Sequence, residues 1–170
     1  MMRSVAIAVA CLAMHQVALA ESGGTVVFKG QPYNLVSAYA YTVQDRSDKT
    51  KLSTAIVFGD KPIDGKKIDA AKDRCSAYGM QIASGMDIVT LVLARGGDKP
   101  VLRIGALFPN TGPDEVPPPT DYKLDLKINE AKRIEGTYRS TNDASKNSDG
   151  HAYYDLHFSA EVVEDPCGMY

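Results

Sequence analysis

The sequence predicts a mainly β domain, an antiparallel sandwich or barrel of about eight strands with one short amphipathic helix. Three observations predict it. Apolar and charged residues alternate with a period of two, most plainly in Tyr122-Lys123-Leu124-Asp125-Leu126-Lys127-Ile128. Two other stretches, Leu52–Phe58 and Asp87–Arg95, are near-continuously apolar, the pattern of central strands covered on both faces. Helical spacing surfaces once, between strands that follow one another at short intervals.

The first element stands outside that domain. Met1–Ala20 reads as a secretory signal peptide: Arg3, an apolar run from Val5 to Met14, then Ala18-Leu19-Ala20 as a small-x-small cleavage triplet. The run is too short to span a bilayer, which takes roughly 20 apolar residues. Lipidation at Cys11 is the alternative, but Ala8-Val9-Ala10 before it lacks the usual leucine. The mature chain is then Glu21–Tyr170, expected as a single β-rich domain with no transmembrane segment, periplasmic or secreted in location.

The strands follow in order. Thr25–Lys29 is short and ends at Gly30. Tyr33–Val43 reads as one long, tyrosine-rich strand. After Leu52–Phe58, the segment Asp64–Tyr78 places Ile68, Ala71, Cys75 and Tyr78 at helical spacing, with Asp64 as N-cap and Gly79 as stop. Asp87–Arg95 and Val101–Phe108 pair across the turn Gly96-Gly97-Asp98-Lys99-Pro100. Pro109–Thr120, with its run Pro117-Pro118-Pro119, is an extended linker, since proline cannot donate to a ladder. The Tyr122 strand hairpins with Ile134–Ser140, where Gly136 suggests a bulge, and its charges suit a sheet edge. The polar segment Thr141–Gly150 is a loop. The last strand puts Tyr154, Leu156, Phe158, Ala160 and Val162 on one face and Tyr153, Asp155, His157, Ser159 and Glu161 on the other.

Export also frames the cysteines. Cys11 leaves with the leader, so Cys75 and Cys167 remain, an even pair expected to form one disulfide. It would close a loop of about 90 residues, worth about 4–5 kcal/mol in the chain-entropy treatment. A buried free thiol at Cys75 is the alternative.

Charge excludes one class of partner. Lys and Arg number 19 against 21 Asp and Glu, a net charge of −2, and no basic block is present, so nucleic acid is not an expected partner. The partner expected is an unknown protein or a small ligand, and no cofactor is implied.

Two sets of residues carry candidate chemistry. Tyr33, Tyr39 and Tyr41 share one phase of the Tyr33–Val43 strand, and that face would offer rings to a sugar, peptide or apolar ligand if it lined a groove; core packing is the alternative. On the last strand Asp155 and His157 lie about 6.8 Å apart along one face and could share a metal given a third ligand. His151 lies about 13 Å from Asp155, too far to join the same ion on a straight strand. A solvated polar face is the alternative. A loose calcium site on Asp143, Asn147 and Asp149 lacks the acid and the glutamate that a full loop needs. No Gly-x-Ser-x-Gly elbow is present.

The runs Gly24-Thr25-Val26-Val27-Phe28-Lys29-Gly30, Ala38-Tyr39-Ala40-Tyr41, Val57-Phe58-Gly59-Asp60-Lys61-Pro62 and Tyr154-Asp155-Leu156-His157-Phe158 resemble those of a set of exported bacterial β-proteins of unknown role. The resemblance implies the β fold and an envelope location, and transfers no site residue. The function expected is an exported, non-catalytic binding or protein-interaction module of the bacterial envelope. The alternative is a metal-dependent or hydrolytic enzyme using Asp155 and His157.

Overall fold

The computed structural model describes residues 22–44, 50–83, 85–94, 102–107, 121–141 and 152–167. The segment Met1–Ala20 read as a signal peptide, the segment Pro109–Thr120 read as a linker, the Asp143–Asp149 calcium candidates and His151 lie outside the described residues. The fold is mainly β, with nine strands and two helices among these residues.

β1 (Gly23–Phe28) and β2 (Gln31–Leu35) form a hairpin. Its two-residue loop, Lys29-Gly30, takes positive φ at both positions, as a turn matched to strand twist requires. β3 (Ser37–Gln44), β4 (Leu52–Gly59), β5 (Ile88–Ala94) and β6 (Leu102–Leu107) make an antiparallel run, each paired with the next. β7 (Tyr122–Asn129) pairs β8 (Arg133–Ser140), which pairs β9 (Tyr153–Val163). The hairpin's irregularity falls on β7, between Leu126 and Ile128, rather than on β8. Gly136 stands opposite it because a Cβ there would collide with the Asp125 carbonyl.

β9 joins everything. One of its edges pairs β8 from Asp155 to Glu161. The other pairs β1 antiparallel as far as Gly23↔His157, then β3 in parallel at Ala40↔Val162 and Tyr41↔Val163. Between those ladders Ser22 stands in for a strand. Its hydroxyl accepts from the Ser159 amide at 2.9 Å and donates to the Ser159 carbonyl at 3.1 Å. The main path runs β2-β1-β9-β3-β4-β5-β6 and does not close into a barrel, so that expectation is corrected. β7, which pairs only β8 among the described strands, is the charged edge the alternation suggests.

Two further expectations are corrected. The segment Tyr33–Val43 is two strands, not one, broken at Val36. Leu35 pairs Gly24 on β1 whereas Ser37 pairs Gly59 on β4, so the chain changes partner within two residues. The single helix is also two: α1 (Gly65–Ala70) and α2 (Arg74–Ile82). Asp64 caps the first by accepting from the Lys67 amide at 3.0 Å. Asp73 caps the second by accepting from the Ser76 amide at 2.9 Å, a local bond that competes with helix continuation. Gly79 stays helical, and the end comes at Ala83, whose amide donates to the Gly79 carbonyl.

Periodicity decides what is buried. From Ser53 onward β4 has no exposed residue. One face of the β3–β5 run, with Ala40, Ile56, Phe58, Val89, Leu91 and Leu93, shares a core with Val26, Ile134, Tyr138, Tyr154, Leu156 and Phe158. The rings of Phe58 and Phe158 meet edge to face at 6.2 Å. The opposite face carries Val57 and Ile88, which pack with Met86, Tyr41, Tyr78 and Ile82 beneath the helices. β4 and β5 are therefore covered on both sides, which is why their sequences carry so little polarity. Full burial of each such side chain contributes roughly 1.5–3 kcal/mol. Cys75 on α2 is bonded to Cys167 in the C-terminal tail. Among the described residues no helix is long and apolar enough to cross a membrane.

Candidate functional site

The change of partner along β9 opens a crevice. β1 has left its edge after His157 and β3 has not joined it until Val162. The space beside that divergence, about 370 Å³, is bounded by Ala38, Tyr39 and Ala40 of β3, by Ser159, Ala160, Glu161 and Val163 of β9, by Gly65, Lys66 and Asp69 of α1, and by Arg133 of β8. Small side chains keep it open: Ala38, Ala40, Ala160 and Gly65 fill little of the volume that larger residues would occupy.

The polar groups around it are unevenly engaged. The Tyr39 hydroxyl donates to Asp69 Oδ1 at 3.1 Å, and Arg74 Nη2 donates to the same oxygen at 3.3 Å and to the Glu164 carbonyl at 2.9 Å. Arg133 is more loosely held. Its Nη2 lies 3.4 Å from Ser159 Oγ and 3.6 Å from Glu135 Oε2, and its buried Nε has no hydrogen-bond partner among the described residues. Lys66 and Glu161 are exposed, and among the described residues neither side chain makes a hydrogen bond or ion pair.

Behind the crevice the rings of Tyr39, Tyr41 and Tyr78 form a cluster with centroids 5.6–6.0 Å apart. The Tyr41 and Tyr78 hydroxyls share a hydrogen bond at 3.3 Å. Burial pushes the Tyr39 phenol up to about 12, and the Asp69 carboxylate adds to the rise. Burial raises Tyr41 and Tyr78 as well. All three are held as neutral phenols at ordinary pH.

The structure brings together two of the three tyrosines expected to share a face. Tyr39 and Tyr41 point towards the helices, where Tyr39 is 5 % exposed. Tyr33 lies on β2, opposite Val26, and packs on the other side of the molecule's core. Its separation follows from the break at Val36. Tyr78 joins the cluster from α2; its place on the helix's apolar stripe was the signal for it. Arg133, Lys66 and Glu161 carry no such signal, because they sit on three separate elements and no local spacing relates them.

Asp155 and His157 do share the outer face of β9. Asp155 Oδ1 accepts from Arg139 Nε at 3.1 Å and Nη2 at 3.0 Å, across the Arg139↔Asp155 register pair. His157 is exposed. Among the described residues no third His, Cys, Asp or Glu joins them in a group that could hold a metal.

A second groove, about 400 Å³, lies on the far side of α2 between Met80, Met86 and Pro62, with Lys61 and Lys67 beside it. It is the more apolar of the two and has fewer polar groups converging on it. The chain matches no protein-family model, no curated protein and no solved structure.

Proposed function

We propose that this chain is an exported, non-catalytic binding module of the bacterial envelope, periplasmic or secreted, that holds a small ligand in the crevice between β3 and β9. The observation that carries this reading is a metabolite-sized opening ringed by polar side chains with unused bonding capacity. The scaffold suits it: we read the two packed halves of the sheet as a sandwich that splays where β9 changes partner, so the site is built on strands rather than on loops. Export rests on the Met1–Ala20 leader, and the Cys75–Cys167 bond is consistent with an oxidising compartment.

Native mass spectrometry on the mature protein from the exported fraction of its host tests the reading. The wild type is expected to carry an additional small-molecule mass, and Ser159→Leu, which fills the crevice from the β9 side, to lose it. The denatured mass reports cleavage after Ala20 and the two hydrogens lost to the disulfide. A bare wild-type mass, or a ligand retained in Ser159→Leu, removes the crevice as the binding site.

A further inference from the structure

We infer that the crevice between β3 and β9 selects a free small zwitterion, an α-amino acid or dipeptide with short apolar side chains, through Glu161 for its ammonium and Lys66 with Arg133 for its carboxylate. The inference rests on the reading of that crevice as a binding site and names the ligand class.

The charges around the opening argue for two poles on one molecule. Lys66 and Arg133 are cationic, and Asp69 and Glu161 are anionic, so the walls are balanced in charge. A simple anion would meet the two carboxylates and a simple cation the two bases, so each is disfavoured by like charge. A neutral ligand with separated charges satisfies both. Asp69 is already committed to Tyr39 and Arg74, which leaves Glu161 as the carboxylate of this lining without a side-chain partner among the described residues. Among the described residues of this lining, Lys66 is the cation without a side-chain partner.

Arg133 supplies the geometry that a carboxylate requires. The guanidinium grips carboxylates bidentately, and charge-assisted bonds of this kind are shorter and stronger than neutral ones. Among the described residues Nη2 has two long contacts, at 3.4 and 3.6 Å, and Nε has no hydrogen-bond partner. A small rotation of a side chain held this loosely presents its fork to the crevice. Of the remaining lining, Tyr39 spends its hydroxyl on Asp69 and Ser159 Oγ stands beside Arg133, while Ala38, Ala40, Gly65, Ala160 and Val163 offer small, apolar surface without side-chain hydrogen bonds, so the rest of the ligand is apolar and short. A protein terminus carries only one of the two poles, which points to a free molecule.

The test is titration of the mature, disulfide-bonded protein with valine and with alanylalanine, followed by calorimetry or ligand-observed NMR. N-acetylalanine and alaninamide, each lacking one pole, are the controls. The zwitterions are expected to bind at least roughly tenfold more tightly than either blocked analogue. Glu161→Gln should weaken the zwitterions about tenfold while leaving N-acetylalanine unchanged, and Lys66→Gln should spare alaninamide instead. Both are exposed positions, so folding is preserved. Blocked analogues that bind as well as the zwitterions, or variants without effect, overturn the inference. Failure of every zwitterion to bind overturns it too. If the native protein still carries a ligand that Ser159→Leu loses, only the ligand class has failed; if it carries none, the binding reading falls as well.

Discussion

Tyr39 and Asp69 are joined across two layers: the phenol on β3 donates to the carboxylate on α1 at 3.1 Å. Through Arg74, which bonds both Asp69 and the Glu164 carbonyl, the same link reaches α2 and the C-terminal tail. The sheet, both helices and the tail are thus held by one polar chain beside the crevice.

Removing parts of that link separates hydrogen bonding from packing. Tyr39→Phe deletes the hydroxyl alone and is expected to lower unfolding stability by about 1–2 kcal/mol, since its acceptor is charged but partly solvated. Tyr39→Ala also deletes a ring packed against Tyr41 and Tyr78 and should cost about 3–5 kcal/mol. Urea denaturation of both variants measures the two losses. A Tyr39→Ala loss below about 1 kcal/mol would show that the ring is not part of the packing beneath the helices.

The Cys75–Cys167 bond fastens the tail to α2 across a sequence separation of 92 residues. Mutating both cysteines to serine is expected to lower stability by up to about 4–5 kcal/mol, less if the unfolded chain retains structure. Most of that effect arises from constraint on the unfolded chain, so Arg74 and Tyr78 should keep their contacts in the variant. Near-ultraviolet circular dichroism, which reports tyrosine packing, checks that the folded state is retained. A collapsed signal under native conditions would contradict it.

Much of this architecture is legible in the residues, and the exceptions have physical causes. The apolar runs of β4 and β5 announce two-sided burial because a strand covered on both faces cannot alternate. The charged face of β7 announces an edge. The break at Val36 is silent, since Leu35 and Ser37 differ only in which distant strand each meets, and pairing of that kind leaves no local mark. The helix break was half-visible: Asp73 is a good N-cap residue, yet the spacing of Ile68, Ala71, Cys75 and Tyr78 reads straight through it. The crevice was invisible because Lys66, Arg133 and Glu161 converge only once β9 has joined β8 and β3.

Tyr138 and Tyr154 show the reverse of the Tyr39 arrangement. Both are fully buried, their rings meet at 5.7 Å, and neither hydroxyl has a hydrogen-bond partner among the described residues. An unsatisfied buried hydroxyl costs about 1–3 kcal/mol. Tyr138→Phe and Tyr154→Phe should therefore leave stability unchanged or raise it by about 1 kcal/mol each, while keeping the ring contacts. Thermal and urea unfolding would decide. A loss of more than about 1 kcal/mol would mean that the hydroxyls are bonded in solution, for example through a bound water.

Asp87 gives the fold a pH signature. Its buried Oδ1 has no hydrogen-bond partner among the described residues, and its amide donates to Asp60 Oδ1 at 3.0 Å, which brings the two carboxylates close. Desolvation, with the Asp60 charge second and Lys61 opposing, raises the Asp87 pKa above the usual carboxylate value. The folded state then binds this proton more tightly than the unfolded state does. Above the folded pKa both states are ionised and the fold carries the full penalty; as pH falls through that pKa the penalty is relieved. Asp87→Asn removes the titration and is expected to be more stable than the wild type at neutral pH. Its advantage should shrink as pH falls into the carboxylate range. Urea midpoints for both proteins across pH 3–8 measure the difference. A constant offset, or an advantage that grows on acidification, would place the strain somewhere other than on the Asp87 carboxylate.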